Sequence, residues 1–153
     1  MATKQITRRT AERRTPPEIL KLARRMTVIL RDRLEVQLRP LGVTAAQLHV
    51  LAALTREPDS SGAHLARYCQ VTPQTMHALL SAAERHGWVR RKPHAQNEHT
   101  LLATLTPEGR RIFARGKAIA MRLQRRMLSA LTPDDVARLE TTLALLIERL
   151  ESW

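Results

Sequence analysis

Between Thr72 and Lys92 the chain sets out side chains suited to gripping a nucleic acid. Gln74, Thr75, His77, Ser81 and Arg85 fall on one arc of a helix that begins at Thr72, with Ala78 among them. Glutamine pairs with an adenine edge, arginine with guanine or phosphate, and threonine with either base or phosphate. These groups start at a helix N-terminus, where free N–H groups also favour phosphate. The opposite arc holds Met76, Leu79, Leu80 and Ala83 and faces inward. Arg90, Arg91 and Lys92 follow on a short β-patterned run, placed to clamp a sugar-phosphate backbone. Any surface helix has a polar arc. What singles this one out is the capped turn before it and the basic hairpin after it.

The elements that must position these residues are legible from caps and periodicity. Ser61 caps a short helix carrying Leu65, Ala66 and Tyr68 to Cys69. Thr72 caps the next helix, with Pro73 at its first position, where a missing N–H costs nothing. Gly87 supplies a left-handed stop. Trp88 to Lys92 then rises, Pro93 to His99 forms a polar tip, and Thr100 to Leu105 returns. Helix, tight turn, helix and basic hairpin make a winged helix-turn-helix, which lays its second helix in a DNA major groove.

Flanking helices complete the layout. A first helix is predicted over Pro17 to Arg39, with Ile19, Leu22, Met26, Ile29, Leu30, Leu34 and Leu38 at helical steps, ended by Pro40 and Gly42. Thr44 and Gln47 form a capping box for the second, whose buried stripe is Leu48, Leu51, Ala52 and Leu54. Glu57 to Ser60 reads as a loop. Thr106-Pro107 starts a fifth helix with Ile112, Phe113, Gly116, Ile119, Leu123 and Met127 on its apolar face. Thr132-Pro133 starts a sixth, with Val136, Leu139, Leu143, Leu146, Ile147 and Leu150, and acids in its first turn to suit the helix dipole. The terminal apolar stripes exceed what one small winged domain covers, which predicts a partner chain. Trp153 either packs at that interface or frays. The expected class is mainly α (α+β), with a basic arm at 1–15 and one domain at 16–153. That domain holds the winged unit at about 44–106 and dimerisation helices at about 17–39 and 107–151. The arm reads either as a solvated tail or as a strap on DNA.

Bulk composition agrees. The 153 residues carry a net charge of +12 and only 3% aromatics, so aliphatic side chains must build the core and polyanions are attracted. Nucleic acid ranks first and an anionic membrane surface second; bulk charge alone needs no capped reader helix, so no membrane partner is expected. Arg outnumbers Lys 22 to 4, which suits phosphate and guanine forks, although a GC-rich genome produces the same bias. From Arg110 to Arg126 there are seven Arg or Lys and no acid, whereas acids outnumber bases from Pro133 onward, so DNA should face the hairpin and the start of the fifth helix. One Cys excludes an internal disulfide and fits a reducing cytosol. No run approaches the ~20 apolar residues of a membrane span, and no signal peptide is expected at the N-terminus.

Other chemistries find little support. His64, Cys69 and His77, or His86, His94 and His99, lack the spacing of a closed zinc site. Cys69 reads as a small buried hydrophobe rather than a redox sensor. There is no HExxH, GxSxG or phosphate-cradling glycine loop, and Glu84, Glu98 and Glu108 have no arranged partner, so neither enzyme activity nor a cofactor is expected. Two alternatives to a sequence-specific regulator remain: a non-specific architectural or anionic-surface-binding basic protein, and a redox- or metal-responsive regulator.

Several segments together resemble the MarR family of bacterial winged helix-turn-helix regulators over roughly residues 17–151. They are Leu65 to Met76, Leu79-Leu80, Glu84-Arg85-His86-Gly87-Trp88-Val89-Arg90-Arg91 and Leu105-Thr106-Pro107-Glu108-Gly109. Three departures stand out. Cys69-Gln70 replaces the usual Leu-Gly, so Gln70 is strained if that turn is left-handed. Ala78 stands where the recognition helix often has Arg. Asn97 and His99 stand where the wing usually has Asp-x-Arg, so His99 takes the place of the minor-groove arginine. The chain also lacks the first-helix Cys of redox-sensing members. The resemblance implies a cytoplasmic homodimer with intertwined first, fifth and sixth helices. Such a dimer binds a pseudo-palindromic operator in double-stranded DNA, with two reader helices ~34 Å apart. It implies repression relieved by a small aromatic effector between the dimer base and the winged unit; Met26, Leu30 and Ile112 are the candidate pocket residues.

Overall fold

The computed structural model describes residues 16–95 and 97–153, so the expected basic arm at 1–15 lies outside the described residues. In chain order the elements are α1 (Pro16–Leu38), a 3-10 turn (Arg39–Leu41), α2 (Ala45–Arg56), β1 (Ser60–Ser61), α3 (Gly62–Tyr68) and α4 (Pro73–Arg85). Then come β2 (Val89–His94), β3 (Asn97–Leu105), α5 (Pro107–Leu128) and α6 (Pro133–Glu151).

Five of these helices begin on a hydroxyl. Thr44, Ser61, Thr72, Thr106 and Thr132 each accept the backbone N–H three residues on, at 3.0–3.2 Å. Thr44 and Thr132 close full capping boxes with Gln47 and Asp135. Each cap satisfies an otherwise orphaned donor, worth about 1 kcal/mol. Gly87 stops α4 at φ 71°, the left-handed conformation expected of it.

The core surrounds α2. Leu48, Val50, Leu51, Ala53 and Leu54 are all buried, against Leu38 of α1, Leu65 of α3, Met76 and Leu80 of α4, Trp88 and Val89, Ala103 and Ile112. The expected single stripe on α2 is therefore corrected. Val50 and Ala53 are buried and Ala52 is only half-buried, because helices and sheet enclose α2 on several sides. A second correction concerns Ser60. It is a buried strand residue, not loop: Asp59 turns at φ 52°, and Ser60 and Ser61 pair with Ala103 and Leu102. Two residues are too few to show a period. The sheet is antiparallel, ordered β1-β3-β2, with Val89 opposite Leu105 and an irregularity at Pro93/His94.

The end helices stay uncovered. α6 buries none of its residues, and Leu143, Leu146, Ile147 and Leu150 are half or more exposed, or nearly so. Ile19, Met26 and Ile29 of α1 are similarly open. No helix among the described residues is long and apolar enough to cross a membrane.

One joint ties α5 to the end of α4. The Thr106 hydroxyl donates to Gly87 O at 2.6 Å, and Thr106 N–H donates to Trp88 O at 3.0 Å. Gly109 lies against the same carbonyl: a Cβ there would stand 2.0 Å from Trp88 O. A backbone oxygen cannot rotate away. Gly109→Ala should therefore cost about 3 kcal/mol or more, the upper range for overpacking, read as a lower urea midpoint at unchanged slope.

Candidate nucleic-acid interface

The polar flank of α4 stands in solvent because its other side is committed to the core. Met76, Leu80 and Ala83 are buried and Leu79 half-buried, which leaves Thr72, Gln74, Thr75, His77, Ala78 and Arg85 exposed. At the helix start the Thr72 and Thr75 hydroxyls share a hydrogen bond of 2.8 Å, while Thr72 also accepts Thr75 N–H. The two hydroxyls are thus held together beside the first free N–H groups of the helix. Below the other end, the His86 ring stacks on buried Trp88 with centroids 4.4 Å apart and planes inclined 14°.

The turn into α4 carries strain. Gln70 sits at φ 54°, the left-handed region that costs a side-chain-bearing residue about 1–2 kcal/mol. The strain anticipated from a missing glycine is present. Cys69 is buried beside it, and burial pushes its thiol up, away from the reactive thiolate.

On β2, Arg90 and Lys92 are exposed on one face of the strand and Arg91 turns the other way. Its Nε donates to Glu84 Oε2 at 2.8 Å, a terminal nitrogen donates to the same oxygen, and that nitrogen reaches Ser81 Oγ at 3.4 Å. This corrects three expectations. Glu84 has a partner, Arg91 is spent on α4 instead of standing free for phosphate, and half-buried Ser81 faces the wing. Glu108 also has a partner, Arg111. The side chains of Asn97, Glu98 and His99 lie outside the described residues, and so does the expected role of His99. Sequence reading missed the Glu84–Arg91 pair because seven positions across a helix stop carry no periodic signal. Among the described residues no group of three His, Cys, Asp or Glu converges as a metal site would.

Two clefts border the long helices. One, of about 690 Å³, lies between α1 and α5, with Leu22, Met26, Ile29, Leu30, Leu123 and Met127 as its floor and Arg25, Arg33 and Arg126 at its rim. It brings together Met26 and Leu30 but not Ile112, which packs into the core several turns away on α5. The other, of about 510 Å³, lies where α2 meets α1 and α5. Leu34, Leu48, Ala52 and Phe113 line it beside His49, Arg56 and Lys117. Lys117 Nζ lies 6.0 Å above the Phe113 ring.

Residues 41–98 match the MarR family. Over 108 residues the chain is 36% identical to the HTH-type transcriptional repressor Rv2887 of Mycobacterium tuberculosis, spanning 71% of this chain and 78% of that one. The chain belongs to the MarR family. A mutant MarR of E. coli crystallised with operator DNA is similar at a TM-score of 0.73 and 27% identity, covering 84% of this chain and 95% of that one. Rv2887 in complex with p-aminosalicylic acid gives 0.68 and 33%, covering 82% and 95%. Within this MarR fold, α4 is the second helix of the helix-turn-helix and β2–β3 the wing.

The Glu84–Arg91 pair makes stability depend on pH in a definite direction. The hydrogen bonds from Arg91 hold the Glu84 carboxyl below its ordinary value. Its contribution is fully present above the unfolded carboxylate range near pH ~4.3 and is lost as pH falls through the lower folded value. Between about pH 5 and pH 3 the native protein should therefore lose more stability than Glu84→Gln. Because Glu84 is partly exposed the difference is modest. Superimposable acid curves in urea unfolding would mean the pair contributes nothing.

Proposed function

We propose that this protein is a cytoplasmic, homodimeric repressor that binds a pseudo-palindromic operator in double-stranded DNA. The observation that carries this reading is the exposed polar flank of α4, capped at Thr72 and backed by buried Met76 and Leu80. Gln74 and Arg85 are assigned to base edges, His77 to the groove beside them, and Thr72 and Thr75 to phosphate at the helix start. Arg90 and Lys92 clamp the backbone, and His99 serves the wing tip. The open apolar faces of α1 and α6 supply the dimer base, which sets the two recognition helices about one duplex turn apart, ~34 Å. The polarity of control follows Rv2887; a shorter match, 35% over 75 residues, is to the transcriptional activatory protein BadR of Rhodopseudomonas palustris.

The test is binding to a duplex selected in vitro from a random pool, against a scrambled duplex and heparin as competitors. Affinity should fall steeply with salt, and Gln74→Ala should relax discrimination by about 1–3 kcal/mol. Arg90→Ala should weaken all sequences alike. Equal affinity for scrambled duplex would favour the alternative of a non-specific basic protein.

We assign the effector to the cleft between α2, α1 and α5. Rv2887 has been crystallised with p-aminosalicylic acid and with salicylic acid. Here Phe113 and Leu48 offer an apolar wall, and Lys117 and Arg56 offer cations for a carboxylate. This cleft also borders the winged unit, so an occupant can favour one setting of α4 over another, as a switch requires. The larger cleft with Met26 and Leu30 is walled by α1 and α5 alone. Salicylate should lower operator affinity, and Lys117→Ala should raise the salicylate concentration required by about tenfold or more, as loss of a hydrogen bond to a charged group does. An unchanged requirement would remove this cleft from the mechanism.

A further inference from the structure

The basic residues around α4 do not share one fate. Arg85, Arg90 and Lys92 are exposed, whereas the Arg91 side chain is only 16% exposed. Its Nε–H and one terminal nitrogen converge on Glu84 Oε2, and the second contact of that nitrogen is Ser81 Oγ. Glu84 lies in the last turn of α4, where the helix dipole disfavours an acid. Arg91 supplies the compensation.

The overall charge gives this arrangement a purpose. At +12, the chain has phosphate attraction in surplus. Each further phosphate contact strengthens binding to every sequence alike and so adds nothing to discrimination. An arginine beside the recognition helix would be such a contact if it were free. We propose that Glu84 limits sequence-independent affinity by withholding Arg91 from the DNA backbone, while the same pair pins the wing strand to α4. Glu84 is thus a positioning residue that lowers the affinity for random sequence. The inference rests on the DNA-binding reading above.

Salt dependence separates this role from mere support of the fold. Binding is measured to a mixed-sequence 30-bp duplex and to the selected operator, across a salt series, with folding of each variant checked by circular dichroism. For Glu84→Gln we expect tighter binding to mixed sequence and a log K against log salt slope steeper by about 0.9, one extra phosphate. Between 50 and 200 mM salt that is about a 3.5-fold larger loss of affinity. Operator affinity should rise by about the same factor, which leaves the ratio of operator to mixed-sequence affinity unchanged. Arg91→Gln should keep the native slope, and the double variant should return to it. An unchanged slope in Glu84→Gln, or a shallower one in Arg91→Gln, overturns the proposal, since Arg91 would then gain no phosphate or already hold one. If Glu84→Gln does not fold, the slope of Arg91→Gln decides alone. A native protein with no preference for operator over mixed sequence would instead remove the DNA-reading function, a result distinct from either slope.

Discussion

The burial of one side of α4 is the constraint on which the rest depends. Met76, Leu80 and Ala83 are each 3% exposed or less, locked against Leu51, Leu54 and Leu65. Rotating the helix to hide Gln74 or Arg85 would bring apolar side chains into water, at about 1.5–3 kcal/mol for each large one. The polar flank is therefore presented by the core, and its own side chains need contribute nothing to holding it there. The hydroxyl cap at Thr72 then fixes where the flank begins.

The same logic links the two ends of the molecule. Thr106 caps α5 and also donates to Gly87 O, just past the end of α4, and Gly109 lets the two backbones touch. A tilt of α5 must carry the α4–β2 turn with it, because no flexible side chain lies between. The cleft lined by Phe113 and Lys117 begins one turn farther along α5. This cleft, the joint and α4 are thus mechanically continuous, the arrangement that the proposed release by a ligand requires.

Electrostatics divides labour across this frame. Arg90 and Lys92 offer charge to solvent, while Arg91 between them serves the interior. Strand alternation is enough to separate them, since successive side chains leave opposite faces. Counting basic residues overstates the number exposed to solvent, because Arg91 is paired with Glu84.

Much was legible in the residues alone. Thr44, Thr72, Thr106 and Thr132 announced four helix starts, and the steps from Met76 to Ala83 announced the inward face of α4, because caps and periods are local. The strain at Gln70 was anticipated through the resemblance to a family that usually has a glycine there. Ser60 as a strand, the separation of Ile112 from the cleft of Met26 and Leu30, the Glu84–Arg91 pair and the cleft at Lys117 did not follow. Each depends on which distant segments meet, and side-chain packing between elements leaves no period in the chain. Sequence determined the elements and the chemistry they carry; tertiary contact decided which of those side chains remain free to use it.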